Sequence, residues 1–286
     1  MKPIIPEETA QKLLKGITIP PQPQIMVDLH MEMAVPEPSF VNIAKIIGKD
    51  VGVSGSILKV INSPFFQLRN QVTSIGQALN LLGLNNVINI VNSLSIRNSL
   101  TDTTLTELTR FWDNAQDVAM AAAAISKLTG VAAPDEAYSL GLFHNSGIPL
   151  LMHKFEHYPS ILKRAYAETS KSITDVENET IDCNHSVVGY YVAKAWKLPA
   201  YIAQTIADHH KVEPIFADKI ACEQSEKNLL AILKLAETTC KTHGMLGYAA
   251  VDHEFGRIKN DLLNYIGLSE YDFEDLRAEV IEMGQH

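Results

Sequence analysis

With 286 residues, 46% of them hydrophobic and 20% charged, the chain is long enough to bury a substantial core in one large domain or two lobes. A net charge of −9, from 33 acidic and 24 basic residues spread along the chain, argues against a broad nucleic-acid or anionic-membrane footprint. MKPIIPEETAQ has no apolar targeting region and no apolar run reaches the roughly 18 residues of a membrane span, so a cytoplasmic location is expected. Cys183, Cys222 and Cys240 are odd in number, far apart and outside any metal-type spacing, and read as free thiols of a reducing compartment.

In chain order, Glu7 to Lys15 is predicted as a short helix, and the proline-rich ITIPPQPQ as a rigid extended lead-in. Ile25, Met26, Leu29 and Met33 make a helical stripe that Pro36 and Pro38 stop. Ser39 is placed to cap a helix through Phe40, Ile43, Ala44 and Ile47, ended by Gly48. Ser54 or Ser56 is expected to open another through Ile57, Leu58 and Ile61, and Ser74 a fourth through Ile75, Ala78, Leu79 and Leu82. A fifth is expected from Leu84 to Leu94, which completes a compact helical lobe. Ser54 to Ile61 could pass for a recognition helix, but Lys59 is its one basic residue, which weighs against DNA binding.

Longer elements follow. Phe111, Ala115, Val118, Ala122 and Ile125 recur in steps of four and three within Thr106 to Leu128, and the alanine run Ala121 to Ala124 allows close packing. Pro134 and Asp135 start a helix expected to carry Leu140 to Met152, LGLFHNSGIPLLM, apolar on nearly every side except for His144, Asn145 and Ser146. Polar groups there must find buried partners or make a site. Ile161 to Glu168 is helical. Thr174 to Thr180 reads as a short helix exposed on most of its surface, and Asn184 caps His185 to Trp196, with His185 partly exposed at its start. Tyr201 to His210 is expected to end in the doublet His209 and His210, with Lys211 to Cys222 as a connection. Ser225 to Lys241, His253 to Ile266 and Glu270 to Met283 are the last helices. With no alternating strand and no repeat, the chain is expected to be all-α.

Several of these stretches are similar to one family in the same order. They are IPPQPQ at Ile19 to Gln24, IIGKDVGVSGSILKVINSPFF at Ile46 to Phe66, VTSIGQALNLLGLNNVINIV at Val72 to Val91, Phe111-Trp112, GLFHNSG at Gly141 to Gly147, NHSVVGYYVAKAWKLP at Asn184 to Pro199, and IADHH at Ile206 to His210. Together they resemble the HDOD family, the HD-related output domains of bacteria. The resemblance covers about residues 17–215. It implies a helical N-terminal lobe (17–100) packed on a multi-helix bundle like that of HD-type phosphohydrolases (101–215); outside it, residues 1–16 are expected as an arm and 216–286 as C-terminal helices covering the bundle.

The related enzymes place histidines and aspartates around one or two divalent metals that activate water beside a phosphate. Carried over by position, the resemblance implies a metal set of His144, His185, His209, His210 and Glu237. Three positions depart from the enzymes' pattern: Asn114 stands for a histidine, Asn145 for the aspartate after His144, and Glu237 for the final aspartate. A neutral amide is a poor bridge between two ions, so no catalytic residues are assigned. The expected function is a regulatory module working through contacts with signalling proteins. Its degenerate pocket is left for one divalent metal or a small nucleotide, and the alternative is an HD-class phosphohydrolase. Each residue also has a plain reading: His144 as a hydrogen-bonded core histidine, His209 and His210 as last-turn residues of a helix, and Glu237 as the ion-pair partner of Lys234 or Lys241.

Overall fold

A computed structural model describes residues 16–284, apart from 20, 65–67, 69, 85–86, 89 and 92–105; of residues 106–109 it describes the backbone. Every regular element among the described residues is a helix, which fixes the all-α class. No helix among them is long and apolar enough to cross a membrane. The helix expected at Glu7 to Lys15 lies outside these residues, and that expected at Leu84 to Leu94 lies partly outside. Within the latter, Val87, Ile88, Ile90 and Val91 are helical and buried.

The N-terminal lobe holds α1 (Gln24–Met33), α2 (Phe40–Gly48), α3 (Val51–Ile61) and α4 (Ile75–Leu82), packed on one another through Met26, Leu29, Ile43, Ile47, Ile57 and Leu79. Ser39 and Ser74 cap α2 and α4 as their positions predict, each side chain accepting from a backbone N–H three residues on. The start of α3 differs from expectation. The carboxylate of Asp50 takes the Val53 N–H at 2.9 Å, and Ser54 instead donates its hydroxyl to Ile47 O at 2.9 Å. A charged acceptor at the helix N-terminus wins over a neutral one, so the helix begins at Val51. Gln22 donates to Trp196 O at 3.1 Å, tying the lead-in segment to the bundle.

The bundle opens with α5 (Thr106–Thr129), whose face from Phe111 to Ile125 is buried. Against its alanines lies α6 (Pro134–Phe143), so near that a Cβ on Gly141 would fall 2.7 Å from Ala119 Cα. The stretch LGLFHNSG does not stay on one helix. The chain turns at His144, Asn145 and Ser146 and resumes as α7 (Gly147–Lys154), with Ser146 N–H bonded to Phe143 O and Ile148 N–H to Asn145 O. There follow α8 (Tyr158–Ala167), α9 (Ile173–Ile181), α10 (His185–Ala195) and α11 (Ala200–Asp208). The segment expected as a connection contains α12 (Val212–Phe216), with Val212, Ile215 and Phe216 buried.

Next comes α13 (Gln224–Thr239), buried without interruption from Leu229 to Thr239 and packed on α5, α6 and α11. A helix buried on every side is the axis of a bundle rather than its surface. Around it lie α14 (Thr242–Gly247), α15 (His253–Ile266) and α16 (Glu270–Gly284).

All three cysteines are free. Burial pushes the thiols of Cys183 and Cys222 up to about 11, and burial beside Asp117 pushes that of Cys240 up to about 12. Only the thiolate attacks a disulfide reagent, and at pH 8 its fraction is on the order of a thousandth or less. The folded protein is therefore expected to react with Ellman's reagent far more slowly than the urea-unfolded chain, with no thiol titrating in the first minutes.

Candidate metal centre

Each histidine of the predicted site stands just outside or at the end of a helix. His144 follows the last residue of α6, His185 is the first residue of α10, and His209 and His210 turn the chain after α11. All four are at most 5% exposed. The expectation of a partly exposed His185 is thus corrected. A fully buried carboxylate, Glu177 of α9, covers it and accepts from its Nδ1 at 2.8 Å and from its backbone N–H at 3.2 Å.

The cause lies in α9, predicted to be mostly exposed. A capping box of Ser172 and Asp175 starts it, and Ile173, Val176 and Glu177 share an inward face. Tyr158 also donates its hydroxyl to Glu177. Burial first, and then this carboxylate, raise the phenol's pKa well above its ordinary value.

One pattern of hydrogen bonds orients all four imidazoles. Nδ1 of His144 lies 2.8 Å from Gly141 O, that of His209 2.7 Å from Ile206 O, and that of His210 2.7 Å from Glu254 Oε1. Carbonyls and carboxylates only accept, so Nδ1 carries a proton in each ring, and Nε2 of His185, His209 and His210 is turned toward the other rings. His185 Nε2 is 3.2 Å from His209 Nε2 and 3.1 Å from His210 Nε2, and the three atoms lie within 4.8 Å of one another. Burial, and then neighbouring imidazoles and Lys234, hold the pKa of His209 and His210 well below the ordinary value, which keeps these rings neutral.

These residues fit a divalent metal. Nitrogens bound at about 2.0–2.1 Å to one ion stand about 3.0–3.4 Å apart, the separations of His185 Nε2 from the His209 and His210 nitrogens. Each ring is braced from behind by a carboxylate or carbonyl, as ligating histidines generally are. His144 and Glu237 form a second node beside this triad. His144 Nε2 approaches Glu237 Oε1 at 3.2 Å but is not aligned for a hydrogen bond.

Of the two partners foreseen for Glu237, the structure selects Lys234. Its Nζ lies 2.7 Å from Glu237 Oε2 and 2.6 Å from Glu254 Oε2, with the lysine 3% exposed. Burial alone would raise the Glu237 pKa. The Lys234 ammonium overrides this and holds it well below the usual carboxylate range. Asn114 and Asn145 are buried too, and neither Asn114 Nδ2 nor either side-chain polar atom of Asn145 has a hydrogen-bond partner.

Two participants escaped the sequence reading, Glu177 and Glu254, and Lys234 entered it only as an ion-pair partner of Glu237. A signal existed for the first, since Glu177 stands four residues after Ile173 on that helix's apolar stripe. Lys234 lies one turn before Glu237, a spacing that pairs them on one face. Nothing local marks Glu254, whose role depends on where α15 docks.

Beside the cluster a cleft of about 540 Å³ reaches His210 and Glu254, bordered by Asn184, Lys211, Glu213 and Arg257. Its cations are already engaged, Lys211 with Asp208 at 2.8 Å and Arg257 with Glu213 at 3.2 Å.

Known proteins match this architecture. A Treponema pallidum (strain Nichols) protein described as uncharacterized is 27% identical over 198 residues, which are 68% of this chain and 38% of that protein. The chain thus spans well under half of that relative's length. A crystal structure from Shewanella amazonensis SB2B, provisionally named a phosphohydrolase, has a TM-score of 0.68 at 17% identity, covering 96% of this chain and 94% of that one. An HDOD domain protein of unknown function from Geobacter sulfurreducens has a TM-score of 0.66 at 21% identity, with 96% and 97% covered. At such identities these likenesses establish the fold. The HDOD domain model itself matches residues 19–212, so the lobe and the histidine-bearing bundle together make this chain a member of the HDOD family.

Proposed function

We propose that this protein is a regulatory HDOD module that holds one divalent cation on His185, His209 and His210 and acts through protein contacts. The observation that carries this reading is the convergence of three buried Nε2 atoms whose Nδ1 protons are all committed elsewhere. His185 Nε2 lies within hydrogen-bonding reach of both other Nε2 atoms, and a divalent ion among the three would take up a lone pair from each. The ion would fix the start of α10 against the end of α11, tying together two elements that carry motifs of the family.

Against hydrolysis stand the neutral Asn145 and Asn114, and the Lys234 ammonium already paired with Glu237 and Glu254. Two-metal hydrolysis needs carboxylates free to bridge ions and an open coordination position, whereas the His185 and His209 rings are fully enclosed. Met31, Val41, Val51 and Leu81 are each at least 60% exposed on the N-terminal lobe, and this supports a role in binding other proteins.

The test is metal content, by plasma mass spectrometry, of protein purified without chelator or nickel resin. About one ion per chain is expected in the native protein, and nearly none in His185→Ala or His209→Ala. Metal-free native protein would overturn the reading.

The cleft beside His210 favours a second reading, a phosphohydrolase of reduced ligand set, with the cleft taking a nucleotide or phosphodiester. It predicts metal-dependent release of phosphate or nucleotide from such substrates, abolished in His210→Ala. The regulatory reading predicts no turnover above that variant.

A further inference from the structure

Lys234 occupies an uncommon position. Its ammonium is buried between two carboxylates, at 2.7 and 2.6 Å. Each carboxylate turns its other oxygen to an imidazole of the cluster, Glu237 to His144 and Glu254 to His210. Burial opposes its charge, yet Glu237 and Glu254 together raise its pKa above the ordinary lysine value, so the cation is permanent.

Two carboxylates whose oxygens converge on one point are the core of a donor set for a divalent ion such as Mn2+ or Zn2+. A second observation marks the same place. Lys234, Glu237, Glu254 and His210 border a cavity of about 20 Å³ with Tyr166 and Thr242. The hydroxyls of Tyr166 and Thr242 are buried there without hydrogen-bond partners, and His144 Nε2 is likewise unpartnered.

We infer that Lys234 is a built-in cation standing where a second metal would otherwise bind, and that it limits the centre to one ion. The inference rests on the one-metal reading above. Lysine supplies the positive charge that Glu237 and Glu254 require, but it offers neither a Lewis acid nor a bound water. The substitution therefore removes two-metal chemistry at its source while leaving the carboxylates compensated.

The experiment compares metal content after equilibrium dialysis against Mn2+ or Zn2+ in the native chain, Lys234→Ala and the double variant Lys234→Ala/Glu254→Gln. Lys234→Ala is expected to hold one ion more than the native chain, and the double variant to lose that gain. A folded Lys234→Ala with the native metal content overturns the inference. The native value by itself judges the one-metal reading, and the increment judges Lys234, so the two can fail separately.

Lys234→Ala also leaves two carboxylates uncompensated and can lose its fold in the absence of metal. In that event added Mn2+ is expected to restore its helical circular dichroism and raise its unfolding midpoint. A Lys234→Ala chain that stays unfolded in Mn2+, while the double variant folds without it, overturns the inference equally.

Discussion

Replacing Gly147 with alanine is expected to cost about 3 kcal/mol or more and to abolish metal binding, although the change adds a single methyl group. A Cβ at this position would lie 2.1 Å from His185 O, 2.9 Å from His185 C and 3.0 Å from Gly189 N. All three are backbone atoms, so no rotamer change relieves the overlap, and α7 must move away from the start of α10. His185 is the first residue of α10, and a displacement of half an ångström there takes its Nε2 off the His209 and His210 nitrogens. For a chain of this size the loss corresponds to a fall of about 5–10 °C in the unfolding midpoint, measurable by circular dichroism. Gly256 is the control. It sits in α15, exposed and with open space around its Cβ position, and its alanine variant is expected to be neutral or more stable by up to about 1 kcal/mol. A Gly147→Ala protein that melts within a degree of the native one would show that the α7–α10 crossing is looser than these distances state.

The second large effect is expected at Glu177. Truncation to alanine leaves Tyr158 Oη–H, His185 N–H and His185 Nδ1–H buried without their acceptor. Buried donors stripped of a charged partner cost about 3–5 kcal/mol, readable as a shift of the urea midpoint at constant slope. The same change frees the His185 ring to rotate and to move its proton to Nε2, which would blind it as a ligand. Loss of such a supporting carboxylate weakens metal binding about 10–100-fold, to be measured by competition with a chromophoric chelator. Glu177→Gln keeps the shape and one acceptor oxygen but turns an amide N–H toward these donors, so it is expected to fall between native and alanine on both measures. An unchanged metal affinity in Glu177→Ala would mean that His185 is oriented by packing alone.

Much of the fold was legible in the residues. Apolar spacing located α1, α5, α13, α15 and α16 closely, because helical period and caps are local properties that neighbouring residues decide. Asn184 was read as a cap, and its side chain does accept from Val187 N–H at 2.9 Å. The local signals misled where tertiary contacts outweighed them. The stretch from Leu140 to Met152 reads as one apolar helix carrying a polar triplet, yet the helix itself breaks at His144, Asn145 and Ser146 and a new one starts at Gly147, where α10 lies against the chain. The stretch from Thr174 to Thr180 looks solvated because six of its seven residues are polar or charged, yet Glu177 among them is fully buried. Its burial is compensated by a histidine eight residues on and a tyrosine from another helix.

The sequence by itself determined the helical class, the order of the elements, the family and the histidines on which the site is built, since these follow from periodicity, capping and motif order. Only the tertiary structure decided that Nε2 of His185, His209 and His210 meet, that His144 and Glu237 form a neighbouring node, and that Glu177, Lys234 and Glu254 supply its charges. Those outcomes depend on how α6, α9, α10, α11, α13 and α15 are placed in space. A lysine or glutamate carries no mark in its neighbours of the remote charge that will permit its burial, because the Coulomb and desolvation energies that decide it exist only once the chain is packed.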